Sequence, residues 1–125
     1  MPIQLKNYTP HKITLFHESM DKTIDIPSSG EIRLLEGPQD SIDKWEGIPV
    51  YSPPEYTKLE GVPNDLMDEN GEEIGIIVSM PVGRYLMGNI LPNRIHVYGP
   101  DMGPKNAVRN EKGQPIGTKA LVKYK

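Results

Sequence analysis

The side chains able to do chemistry are few and scattered. Histidine occurs at positions 11, 17 and 96, and arginine only at 33, 84, 94 and 109. Two histidines and a carboxylate would make a metal site. No pair stands at His-x-His or His-x-x-x-His spacing, and His11 and His17 share a face only if their strand is unbroken. His11 reads instead as a structural residue whose ring caps the Thr9-Pro10 turn through a backbone hydrogen bond. Ser79 follows an apolar run and opens a predicted helix, the place of a strand-to-helix nucleophile. Its surroundings, Ile77-Val78-Ser79-Met80-Pro81, lack Gly-x-Ser-x-Gly. Helix capping accounts for Ser79, and the free N–H groups of a helix start leave it an anion-ligand candidate. Asp65, Asp68, Glu69, Glu72 and Glu73 crowd about Asn70-Gly71. Their spacing is not that of an EF-hand, and they read as a solvated acidic loop.

The arginines carry the sharper reading. A guanidinium fork matches phosphate and carboxylate oxygens in a way an ammonium does not. Arg33, Arg94 and Arg109 are candidate phosphate clamps, His11 and Ser79 candidate hydrogen-bonding partners, and Tyr98 a candidate stacking face. The plain alternative is that these arginines form surface or interface salt bridges.

The elements that must position these residues are short. Thirteen prolines and twelve glycines in 125 residues favour brief strands and many turns over long helices. The length fits a single domain over 1–125. Strands are predicted at 3–5, 13–17, 22–26, 31–35, 47–51, 56–59, 74–78, 94–98, 106–109 and 116–124. Within them Ile24 and Ile26 share a face, as do Ile32 and Leu34. The segment 37–46 reads as polar, with the only tryptophan, Trp45. The run Ile74-Gly75-Ile76-Ile77-Val78 is the most apolar, and its β-branching suggests a central strand covered on both faces. Ser79 as N-cap, Pro81 in the first turn, and Val82, Leu86 and Ile90 at helical spacing predict one helix near 79–89. The fold class is mainly β (α+β): a small barrel-like or two-sheet architecture, antiparallel or mixed, with one short helix.

Composition narrows the partners. A net charge of −3 with interspersed signs offers no basic stripe for duplex nucleic acid. No cysteine is present, which removes disulfides and thiolate chemistry and fits a cytoplasmic setting. No stretch approaches the roughly 18 apolar residues of a membrane span, and the first seven residues lack an apolar signal region.

The opening Asn7-Tyr8-Thr9-Pro10-His11, running into Ile13-Thr14-Leu15-Phe16, resembles a family of small, largely uncharacterised bacterial and phage proteins with an N-terminal Asn-Leu-Thr-Pro-His motif. Tyr8 stands where that family has leucine. The resemblance extends through Ser29-Gly30 and Arg33, Ile48-Pro49-Val50, Val62-Pro63, Ile77-Val78-Ser79, and Arg109 with Gly113 and Gly117. The family's Arg-x-Asp strand corresponds to Arg94-Ile95-His96, with histidine for aspartate, its Pro-Gly is reversed at Gly99-Pro100, and a frequent cysteine is Thr118. The resemblance implies a phage-like lineage and residues to watch, not a reaction.

These readings make the expected function non-catalytic binding of a small anionic, nucleotide-like ligand by a homo-oligomer. The site is His11, Arg33, Ser79, Arg94, Tyr98 and Arg109, with no cofactor or metal. In its sharpest form this is a phage-type sponge that sequesters a host immune signal. Unpaired strand edges that subunits would cover support the oligomer. One alternative is a protein-interaction or virion-associated module with no small-molecule site, marked by an exposed apolar patch. Another is a small nucleotide or sugar hydrolase or lyase with His11 or His96 as general base.

Overall fold

The β-branched run at 74–78 builds the centre of the molecule. The computed structural model describes residues 3–37, 39–53, 56–88 and 90–125. In chain order the elements are β1 (Gln4–Asn7), β2 (Ile13–Phe16), β3 (Thr23–Ile26), β4 (Arg33–Glu36), β5 (Ser41–Trp45), β6 (Ile48–Tyr51) and β7 (Tyr56–Glu60). A 3-10 turn (Asn64–Met67) follows, then β8 (Ile74–Ile77), α1 (Met80–Leu86), β9 (Ile95–Pro100), β10 (Ala107–Arg109), β11 (Pro115–Thr118) and β12 (Leu121–Lys123).

The architecture is mainly β with one short helix, as expected, and its pairing is mixed. One sheet has the order β1-β8-β9-β12, with β1, β8 and β9 parallel and β12 antiparallel to β9. A second has the order β10-β11-β2-β3, with a single parallel register pair, Thr118 and Leu15, joining its two hairpins. β4 pairs with β7 and β5 with β6 in separate two-stranded ladders. None of these sheets closes into a barrel.

β8 lies between β1 and β9, and three of its four residues are fully covered. A Cβ on Gly75 would lie 2.4 Å from Leu5 and 3.0 Å from Tyr98, so only glycine lets the sheet's second face pack this closely. On the first face Ile76, Val78, Ile95 and Val97 meet Val82 and Leu86 of α1, with Tyr8, Ile32, Leu66 and Leu91. Burial of such side chains contributes about 1.5–3 kcal/mol each, which makes this cluster the main source of stability.

Three expectations need correction. The predicted strand 116–124 is two strands in different sheets. The break falls where the Thr118 hydroxyl receives the Ala120 N–H at 3.2 Å and the Lys119 N–H turns to the Asn106 carbonyl at 2.9 Å. The helix ends at Leu86, because the chain tightens into a turn at Met87 and Gly88; the expected end at Asn89 lies outside the described residues, as does Pro54 of the predicted connector. The polar segment 37–46 contains β5, whose antiparallel ladder with β6 turns through Glu46 and Gly47, both at positive φ. Ile24 shares the Ile26 face of β3 but, on a sheet edge, remains exposed.

Candidate functional site

The N-terminal motif forms a knot of hydrogen bonds about one side chain. Asn7 is fully buried at the end of β1. Its Nδ2 donates to the carbonyls of His11 (2.7 Å) and Ile26 (3.1 Å). Its Oδ1 accepts the Thr9 N–H (2.9 Å) and the Thr9 hydroxyl (2.6 Å). Ser28 continues the knot by donating from its hydroxyl to the Thr9 carbonyl at 2.6 Å. The turn at Thr9-Pro10 is therefore held by Asn7, and His11 contributes its backbone carbonyl. The ring-capping role expected of His11 is not what the structure has, because the buried carboxamide already occupies the turn.

The six candidate ligand residues lie in different parts of the molecule. Arg33 and Ser79 line one groove of about 240 Å³, together with Glu31, Glu36, Ile32 and Val82. There Arg33 faces Glu60 across β4–β7 at 3.4 Å, an exposed ion pair. Ser79 holds the N-cap position in extended geometry, and its carbonyl accepts the Gly83 N–H at 2.9 Å. Its hydroxyl makes no capping bond, so the capping expectation holds for its backbone only. At seven residues, with Pro81 removing one donor, α1 is too short to offer an anion cradle at its start.

Arg94 is a staple. Its Nε, Nη1 and Nη2 donate to the carbonyls of Asp68 (2.7 Å), Glu72 (3.3 Å) and Asp65 (2.6 Å). The acidic segment is thus wrapped about the guanidinium by its backbone. Arg109 bridges its own hairpin by donating to the Gly113 carbonyl at 2.9 Å. Tyr98 stands on β9 with its ring 6.0 Å from the Lys123 ammonium, a cation–π contact across the β9–β12 pair. His96 meets Glu73 at 3.4 Å. Among the described residues no three histidine, aspartate or glutamate side chains gather where a metal could be held.

His11 borders a different groove of about 320 Å³, whose floor is Ile13, Pro100, Met102 and Ile116 and whose rim includes Lys12. Lys12 makes an exposed 3.8 Å contact with Asp25. One wall is β11, through Pro115, Ile116, Gly117 and Thr118. A second polar knot backs this groove. Thr118, buried, donates from its hydroxyl to the Asp101 carbonyl at 2.5 Å. The Asp101 carboxylate accepts the Gly103 N–H and the Asn106 Nδ2, each at 3.0 Å, and these donors hold its pKa below the ordinary value.

Two more groups are perturbed by burial. The Tyr8 phenol sits in the core, and desolvation, with Asp65 nearby, raises its pKa. Lys125 donates from its ammonium to the carbonyls of Leu91 and Pro92, and burial lowers its pKa.

A further exposed surface is an arm. β4 and β7 form its base, where Leu34 and Leu59 pack against the core. The Ser52 N–H to Asp40 carbonyl bond (3.1 Å) carries the ribbon on into β5–β6. Every residue of β5 and β6 is exposed, and the two strands make their substantial contacts with each other. Yet this tip carries Ile42, Trp45, Ile48, Val50 and Tyr51, with Trp45 68% exposed. Sequence reading placed no interaction residues here. The available signal was five large apolar residues clustered in a segment with no partner pattern to bury them.

No family model, curated protein or solved structure matches this chain. No helix among the described residues is long and apolar enough to cross a membrane.

Proposed function

We propose that the protein is a non-catalytic interaction module whose contact surface is the tip of the β5–β6 arm. The observation that carries this reading is the full exposure of a two-stranded ribbon bearing Ile42, Trp45, Ile48, Val50 and Tyr51. An isolated hairpin is marginally stable in water, and contiguous exposed apolar surface marks a binding site on a soluble chain. Trp45 is the anchor of such a contact, with Ile48 and Val50 on its face of the ribbon and Tyr51 on the other. Asp40, Asp43 and Glu46, against Lys44 alone, give the tip an acidic rim. The fitting partner is therefore a protein surface with an apolar groove and basic edges.

A photo-crosslinking amino acid at position 45 tests this in cells, with Lys22, exposed at the β2–β3 turn, as the control position. The expected result is a discrete protein adduct from position 45 and none from 22. Equal, weak labelling at both positions would sink the reading.

A second reading keeps one specific support. Arg33 and Ser79 share a groove, which suits a small anionic, nucleotide-derived ligand and hence a sponge of phage type. The carboxylates of Glu31 and Glu36 in the same groove oppose it electrostatically. Titration calorimetry with nucleotides on the wild type and Arg33→Ala decides it. Binding lost in the variant supports this reading, and no binding to the wild type removes it.

A further inference from the structure

We propose that Asn70 is a self-modification site, where the native chain deamidates through a succinimide and so opens the Arg94 staple. Asn70-Gly71 is the one place in the sequence where asparagine precedes glycine. Glycine leaves the following nitrogen unhindered, because no side chain stands beside it. Both residues are exposed, in the bend that leads into β8. The Asn70 N–H is tied to the Asp68 carboxylate at 2.9 Å. The Asn70 carboxamide and the Gly71 N–H make no hydrogen bond among the described residues. The electrophile and the nucleophile of the reaction are thus both unrestrained. Gly71 has φ +146°, and a Cβ there would lie 3.2 Å from the Arg94 Cζ. The guanidinium therefore flanks the Gly71 backbone, where its charge favours loss of the amide proton.

The reaction consumes only water. Hydroxide takes the Gly71 amide proton, and the nitrogen attacks Cγ of Asn70. The N–Cγ bond forms and the Cγ–Nδ2 bond breaks. Nδ2 leaves as ammonia with a proton from water, which restores the hydroxide. Water then opens the imide ring at one of its two carbonyls. Cleavage between Cγ and nitrogen returns the ordinary backbone with aspartate at 70. Cleavage at the main-chain carbonyl routes the backbone through Cβ and Cγ and gives isoaspartate. That product adds one carbon–carbon bond, about 1.5 Å, to the main chain. Arg94 grips carbonyls on both sides of the site, Asp68 at 2.7 Å and Glu72 at 3.3 Å. An added length of that size exceeds the tolerance of a hydrogen bond, so the longer segment cannot keep both. The staple then opens with the age of the molecule and does not reset.

The test incubates the full-length protein at mildly alkaline pH, folded in buffer and unfolded in urea, and follows each asparagine by peptide mapping that distinguishes isoaspartate. The expected result is conversion at Asn70 within about tenfold of its rate in urea, because an exposed bend opens at little cost. Asn93 and Asn110 should stay intact over the same time, and Asn70→Gln should remove the conversion. Protection of Asn70 beyond about tenfold would overturn the site, since the fold would then suppress the reaction. Hydrogen exchange over 65–73 reads the second half of the proposal. The isoaspartyl fraction, separated by its added charge, should exchange faster there, as Arg94→Ala should. Asn70→Asp, which has the charge without the extra backbone atom, should exchange like wild type. Unchanged exchange in the isoaspartyl fraction would overturn the opening of the staple. Equal acceleration in Asn70→Asp would overturn the backbone-length account and assign the effect to charge.

Discussion

The Asn7 carboxamide oxygen accepts both the amide and the hydroxyl of Thr9, at 2.9 and 2.6 Å. A motif that looks like a ligand signature at the level of residue types is thus self-satisfied. With Nδ2 spent on His11 and Ile26, the buried side chain has no capacity left for a ligand. Its job is to join the end of β1 to the β2–β3 hairpin.

Asn7→Ala should therefore cost about 3 kcal/mol in urea-induced unfolding, since it strips partners from several largely buried groups. Thr9→Val, which removes the hydroxyl shared between the Asn7 carboxamide oxygen and the His11 carbonyl, should cost about 1 kcal/mol. Equal stability of Asn7→Ala and wild type would mean that water replaces the knot without loss.

Two glycines with the same backbone sign separate strain from crowding. Gly61 has φ +85°, and a Cβ there would lie 2.2 Å from the Glu31 carbonyl oxygen. Gly47 has φ +79° and nothing within 4 Å. Gly61→Ala is expected to lose roughly 3 kcal/mol or more, from the left-handed backbone and the clash together. Gly47→Ala should lose only about 1 kcal/mol, from the backbone alone. Thermal melts of the two variants provide the comparison.

The Asp101 carboxylate should write an acid limb into the stability curve. Its folded pKa lies below the ordinary 3.8 because Gly103 and Asn106 donate to the charged form. A group depressed in this way contributes stability above its unfolded pKa and loses it as pH falls through the folded one. Asp101→Asn cannot titrate, so its stability profile should be flatter below about pH 4. The two proteins should converge in acid, and urea midpoints taken across that range would show parallel curves if the carboxylate had no such role.

Arg94 separates a staple from a clamp. If the guanidinium holds 65–73 through three carbonyls, Arg94→Ala should speed hydrogen exchange throughout that segment. Arg94→Lys should not rescue it, because a point charge cannot span the three acceptors. Unchanged exchange with lost nucleotide binding would return Arg94 to a ligand role.

Much of the fold is legible in residue pattern. β8 shows itself by its apolar run, β9 by the alternation of Ile95 and Val97 with His96 and Tyr98, and the β2–β3 hairpin by β-branched residues about a polar turn. What pattern misses depends on single hydrogen bonds or on missing neighbours. The split between β11 and β12 hangs on the Thr118 hydroxyl, invisible in a run that alternates smoothly to Tyr124. β5 escapes because its apolar residues bury nothing, so polarity dominates the reading. The candidate site fared differently. Arg33 and Ser79 do share a groove, but Arg94, Arg109 and Tyr98 are each engaged where they stand. Residue type announces a guanidinium's appetite for oxygen; it does not announce that backbone carbonyls nearby will meet it.

The chain leaves the body at Glu31 and returns at Gly61, where the two backbones nearly touch, and the Arg33–Glu60 pair closes the doorway behind them. Among the described residues of the ribbon, Leu34 and Leu59 are the ones that pack against the core cluster. Selection can therefore rewrite the tip, lengthen it or shorten it by pairs of residues, while the folding problem stays the same. In such a layout the residues that decide contact and the residues that decide folding are separate sets, and either can be altered without disturbing the other.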